Sequence, residues 1–281
     1  MIPSPKVPNS SHPSGLPDFE NPPVAEVVLD VTVDPLPLLR NAHLGMLWTT
    51  HFRDEYPKLE EHEPVVSVEE TFGSPEVAFD VQRLGAPPVI RQWFISSDET
   101  RLVQVQSDRL IHNWRRRPDG GAYPRYPSLR EAFERHYAAY VQFLQKEELG
   151  SPQPRQAEIT YVNRLEAGQG WATARELDRV LRVWRPDFGQ ENLVVDELED
   201  VRVAWRYTIT DNEGPYARLY VSVEPAIGGD LVLTLKVRGR PRVTAPDGLV
   251  GFFDMGRARI VNAFAAVTTD RMHAIWGRRN G

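Results

Sequence analysis

Three consecutive runs in the second half of the chain alternate apolar and polar residues with period two. Val201, Val203, Trp205, Tyr207 and Ile209 are interleaved with Arg202, Ala204, Arg206 and Thr208. Leu219, Val221 and Val223 are interleaved with Arg218, Tyr220, Ser222 and Glu224, and Leu231, Leu233, Leu235 and Val237 with Val232, Thr234, Lys236 and Arg238. Successive side chains of a strand point to opposite faces, so each run is a half-buried strand with one apolar and one polar side. The links "EGPY" and "AIGGD" are short and carry glycine, as hairpin connections do. A sheet of this kind is antiparallel and requires cover on one face only.

The rest of the chain supplies that cover. Ala25, Val27, Leu29, Val31 and Val33 predict a first strand, and a helix follows over about 36–56, where Leu44, Leu47, Trp48 and Phe52 form one stripe. Strand-like runs come at 64–71, 89–96, 100–106 and 109–115. Ser128 and Glu131 fit a capping box for a second helix. From "AEITYVNRLE" the order repeats: strand, a helix opened by Thr173 and Glu176, strands near 193–210, 217–224 and 231–239, then a helical region over about 249–276 that breaks near "TTD". The fold class expected is α+β: duplicated strand–helix–(three or four strands)–helix units with antiparallel sheets, in an arrangement that resembles the TATA-binding-protein-like fold. The expected organisation is a disordered Pro/Ser-rich tail over 1–20, a first half over 21–150 and a second over 151–281, packed as one unit.

Composition removes whole classes of chemistry. The 281 residues hold no cysteine, which excludes disulfides, thiolate metal sites and cysteine nucleophiles together. The formal net charge of −6 makes nucleic-acid binding a matter of a local basic patch. No apolar run is long enough to span a membrane, and the start "MIPSPKVPNSSHPSG" is not a signal peptide, so a cytoplasmic protein is expected. There is no nucleophile elbow, no dinucleotide fingerprint, no Walker A run and no H-x-x-x-H. Catalytic residues, metal ligands and cofactors are accordingly not expected.

The candidate site is the polar side of the sheet. Arg202, Arg206, Arg218, Lys236 and Arg238, with Tyr220 among them, stand together there. In the first half Gln104 and Gln106 join that face by alternation with Val103 and Val105; Gln104, Gln106, Asn113 and Trp114 are candidates for a polar pocket, and His112 is a further candidate binding residue. "YPRY" at 123–126 reads as a folded corner, with Arg125 stacked among tyrosines, that aims the following helix.

Several segments also resemble one known group. "NPPVAEVVLDV", "RQWFISSDETRLVQVQSDRLIHNWRR", "YPRYPSLREAFE" and the ending "MHAIWG" are similar to a sporadically distributed bacterial protein family of unknown function. The resemblance implies one folded unit over most of 21–277 and an accessory role, such as defence, toxin neutralisation or regulation. Two readings follow. The first is a non-enzymatic binding protein that holds a macromolecule on the basic sheet face: a protein partner foremost, nucleic acid through a local patch, with homo-oligomerisation a further expectation. The second is an enzyme or small-ligand sensor with a pocket between the halves, lined by residues such as Gln104, His112, Trp114 and Arg206.

Overall fold

The computed structural model describes residues 15–66, 68–72, 90–184, 200–242 and 248–279. Among these, nine strands form one antiparallel sheet. In chain order they are β2 (Val24–Val33), β3 (Lys58–His62), β4 (Arg91–Ile95), β5 (Arg101–Gln106), β6 (Arg109–Arg115), β7 (Pro154–Leu165), β8 (Val203–Asp211), β9 (Gly214–Pro225) and β10 (Leu231–Gly239). Their order across the sheet is β3-β4-β5-β6-β2-β7-β10-β9-β8. The two expected halves therefore meet at β2 and β7, where Val27 faces Tyr161 and Leu29 faces Ile159. A two-residue pairing joins β1 (Asp18–Phe19) to β11 (Arg278–Arg279) near the termini.

Helices cover one face. α1 (Asn41–Leu47) runs on into a π-helical turn at Trp48–Phe52, and α2 (Arg125–Lys146) lies against β6. α3 (Gly248–Val267) packs on β7, β9 and β10, and α4 (Asp270–Ile275) follows after a break at Thr268–Thr269. The core is what the alternation requires: Val27, Leu29, Val31, Leu219, Val221, Val223, Leu233, Leu235 and Val237 are all buried beneath these helices. Phe133 of α2 meets Phe253 of α3 edge to face, with centroids 4.9 Å apart. Among the described residues no helix is long and apolar enough to cross a membrane.

Gly256 sets the depth of α3. A Cβ there would lie 2.5 Å from Ile159 Cγ2 and 3.4 Å from Val237 Cβ, so only glycine lets the helix sit this close to β7 and β10. Gly256→Val is expected to lower stability by about 3 kcal/mol, the upper end of ordinary overpacking costs, as read by urea denaturation.

Four local expectations are corrected. Asp18 and Phe19, assigned to the tail, belong to the fold: they pair with β11, and Phe19 is buried against Phe264 and Trp276. Ser128 does not cap α2, which starts three residues earlier at Arg125, itself held at φ 69°. The helix expected at Thr173 is a six-residue 3-10 turn, Ala174–Arg179. Of the strand expected over 64–71, residues 64–66 and 68–71 are not in a strand and cross the sheet instead; residue 67 lies outside the described residues. Residues 1–14 of the tail and residues 193–199 of the strand expected near 193–210 lie outside the described residues.

Candidate functional site at the junction of the halves

Strand register decides the faces. Arg206 is opposite Tyr220, Tyr220 opposite Lys236, and Arg218 opposite Arg238. Arg218, Tyr220, Lys236 and Arg238 are on the side away from the helices, because each alternates with residues buried in the core, and Arg206 shares that side through its pairing with Tyr220. Arg202 lies just ahead of β8 and is ion-paired to Asp200 at 2.9 Å.

This face carries its own counter-charges. After β3, residues 63–66 and 68–72 cross the sheet from its β3 edge. Gln106 clamps Val65, accepting from its N–H (2.9 Å) and donating to its carbonyl (3.0 Å). Gln156 accepts from the Glu70 N–H and donates to the Val68 carbonyl, both at 2.9 Å. The strap then delivers the buried Glu70 carboxylate to Arg218, to Tyr220 Oη and to Arg238 Nε, the last at 2.6 Å. Burial pushes this carboxyl up, but the hydrogen bonds from Tyr220, Arg238 and Arg218 outweigh it and hold the pKa below the ordinary value. Lys236 is paired with Glu158 at 2.9 Å. One strand over, Asp30 and Arg109 form a buried ion pair at 3.1 Å.

The first-half candidates fall on two sides. Gln104 stays on the strap side, accepting from Arg91 (2.9 Å) and donating to Asn113 (2.8 Å). His112 and Trp114 face the helices. His112 lies beside His136, ring centroids 5.0 Å apart, and burial holds its imidazole well below its usual pKa. Trp114 packs on Tyr123 at 5.3 Å. Gln104, Gln106, His112, Trp114 and Arg206 therefore line no common pocket, since a sheet separates them.

A different cavity occupies the junction. It measures about 60 Å³ and lies on the helix side where β2 meets β7. Val24 and Asn163 face each other across the two strands at its floor. Phe19, Ile260, Val261 and Phe264 give it apolar walls, and Pro17, Asp18 and Pro22 close it from the N-terminal side. Its polar groups are few and convergent. Tyr123 Oη and Tyr161 Oη are 3.2 Å apart, and Tyr161 is in turn hydrogen-bonded to Arg257. Burial drives both phenols above their usual pKa, although Tyr123 and Arg257 draw Tyr161 back down, so both are neutral at physiological pH. Arg257 is only 8% exposed and lies over the Tyr126 ring at 5.0 Å.

The segment over the cavity is tied down by Arg125. Its guanidinium donates to the carbonyls of Phe19 and Glu20, each at 2.9 Å, and pairs with Asp18 at 3.3 Å. The "YPRY" corner thus does aim a helix, and it also supplies three cavity residues, Tyr123, Arg125 and Tyr126. Tyr161, Asn163 and Arg257 were not singled out in the sequence. Asn163 and Tyr161 stand on the face that alternation assigns to the core, and a polar residue there was the available signal. Arg257 carried the same signal within an otherwise apolar helix, α3.

Compared with known protein families, curated proteins and solved structures, the chain matches none.

Proposed function

We propose that this chain is a small-ligand-binding protein whose site is the junction cavity. One observation carries the reading: the seam between the halves is not packed solid with aliphatic side chains. It holds a cavity with apolar walls and a small polar set, Tyr123, Tyr161, Asn163 and Arg257, which is the usual composition of a ligand site. The same reading takes the two halves as copies of one unit in TATA-binding-protein-like order. The flanking of β2 by β6, and of β7 by β10, supports it. A macromolecule held on the strap side is favoured less, because Arg218, Arg238 and Lys236 are already engaged by Glu70 and Glu158. An accessory role inside a bacterial cell fits a ligand sensor and belongs to the same proposal.

The test is ligand-observed NMR with small neutral, acidic and basic molecules. Hits are expected, and Val261→Phe, which fills the cavity from a partly exposed wall position, is expected to abolish them while the thermal transition is kept. A set without hits, or hits indifferent to Val261→Phe, overturns the reading.

A further inference from the structure

We propose that the strap stands in for a partner: the sheet face beneath it is a groove for an acidic peptide segment of another protein, which the chain holds closed with residues 63–66 and 68–72. The groove lies on the opposite face of the sheet from the junction cavity and does not depend on it.

The recognising groups all belong to the sheet. Gln106 is on β5, Gln156 on β7, Arg218 and Tyr220 on β9 and Arg238 on β10. The strap is a connection with no strand pairing among its described residues. Two of the groups read backbone alone. Gln106 takes both the N–H and the carbonyl of Val65, and Gln156 takes the Val68 carbonyl and the Glu70 N–H. A primary amide offers a donor and an acceptor, so these clamps suit any residue at those positions. β5 and β7 are three strand spacings apart, about 14 Å, and the five steps from Val65 to Glu70 cover that only when drawn out at about 3.3 Å each. The clamps therefore select a drawn-out chain, as peptide grooves do, with main-chain hydrogen bonds for affinity and side-chain pockets for specificity.

Side-chain selection sits at one end. Val66 and Val68 are 64% and 41% exposed, so apolar burial does not hold the strap there. Glu70 is buried, and Arg218, Tyr220 and Arg238 all donate to its carboxylate. Charge-assisted bonds of this kind are both strong and directional. Glu69 beside it pairs with Arg155 at 2.7 Å. Arg218 also donates to the Thr71 carbonyl at 2.8 Å and lies 4.5 Å from the centre of the Phe72 ring. The fitting segment has two consecutive acids, with an aromatic two residues after the second. A peptide offering those groups competes with the strap on equal terms except for the tether.

The experiment follows the fluorescence anisotropy of a labelled synthetic peptide, EPVVSVEETF (63–72), added to the full chain and to its Glu70→Ala variant. The variant is expected to bind at least tenfold more tightly than the unaltered chain, in which the tethered strap competes at an effective concentration on the order of 1 mM. The same peptide with Glu70→Gln is expected to lose at least tenfold in affinity for the variant chain. Absence of peptide binding to Glu70→Ala overturns the inference and leaves the strap a structural brace. Indifference to the peptide's glutamate overturns it as well. So does a single-stranded oligonucleotide that displaces the peptide at equal or lower concentration, which would assign the groove to phosphates. Should the Glu70→Ala chain not fold, the Glu70→Gln chain takes its place with the same outcomes. Val261→Phe bears on the cavity alone, so either site can fail without the other.

Discussion

Glu70→Ala is expected to lower the free energy of unfolding by about 3–5 kcal/mol, the usual cost of removing one partner from a buried ion pair. The carboxylate is buried, and three donors converge on it: Arg218, Tyr220 and Arg238. Without it, two guanidiniums are left side by side on adjacent strands, since Arg218 is directly opposite Arg238. Like charges in that position repel, and neither can lose its proton. Arg218 also donates to the Thr71 carbonyl at 2.8 Å and stacks on Phe72 at 4.5 Å, so the strap loosens with the charge. Glu70→Gln keeps the shape and part of the hydrogen bonding, and is expected to cost less than Glu70→Ala. Urea denaturation of the three proteins checks the order. Equal midpoints for the native chain and Glu70→Ala would show that the strap holds nothing.

The second large effect concerns Asp30 and Arg109, whose side chains are each 8% exposed. Asp30→Leu removes the buried carboxylate that faces a permanent cation and is expected to cost about 3–5 kcal/mol. Arg109→Met is expected to cost less, because a stranded carboxyl can take up a proton. Burial already pushes Asp30 up to about 7, against the pull of Arg109 and with Glu158 pushing the same way. Without Arg109 it rises further. A group whose folded pKa lies above its unfolded value stabilises fully below the unfolded pKa and loses that contribution as pH rises through the folded one. The Arg109→Met deficit should therefore shrink as pH falls from 7.5 to 5, while that of Asp30→Leu should grow, because the native chain gains stability from Asp30 over that range and the leucine variant has no group to titrate. The double variant is expected to recover most of the loss, since a well-packed apolar pair often equals a buried ionic one. Denaturation of all four proteins at both pH values tests this, and a double variant as unstable as Asp30→Leu would refute it.

Legibility differed along the chain for physical reasons. In β9 and β10 one face is apolar and covered, so period two separates the faces cleanly, and register places Arg218, Tyr220, Lys236 and Arg238, with Arg206 of β8 opposite Tyr220, on one face. In β6 every residue from Arg109 to Trp114 is buried, so both faces are covered and the alternation that would sort His112 from Asn113 is lost. Ser128 looked like a cap because its spacing to Glu131 is right. The helix nevertheless begins at Arg125, which is held by carbonyls about a hundred positions earlier in the chain. The strap reads as a strand in the sequence because it carries Val65, Val66 and Val68. Its partners are the side-chain amides of Gln106 and Gln156, and no sequence period encodes such a pairing.

The residues themselves determined where strands run, which side of each is greasy and that the sheet is antiparallel. Those properties follow from the geometry of neighbouring Cβ atoms and the reach of short turns. Tertiary structure alone decided that Glu70 neutralises cations 148 and 168 positions away, and that Tyr123, Tyr161 and Arg257 surround one cavity at the seam. Charge compensation and cavity shape depend on which distant segments are brought across from one another, and local sequence pattern carries no record of that.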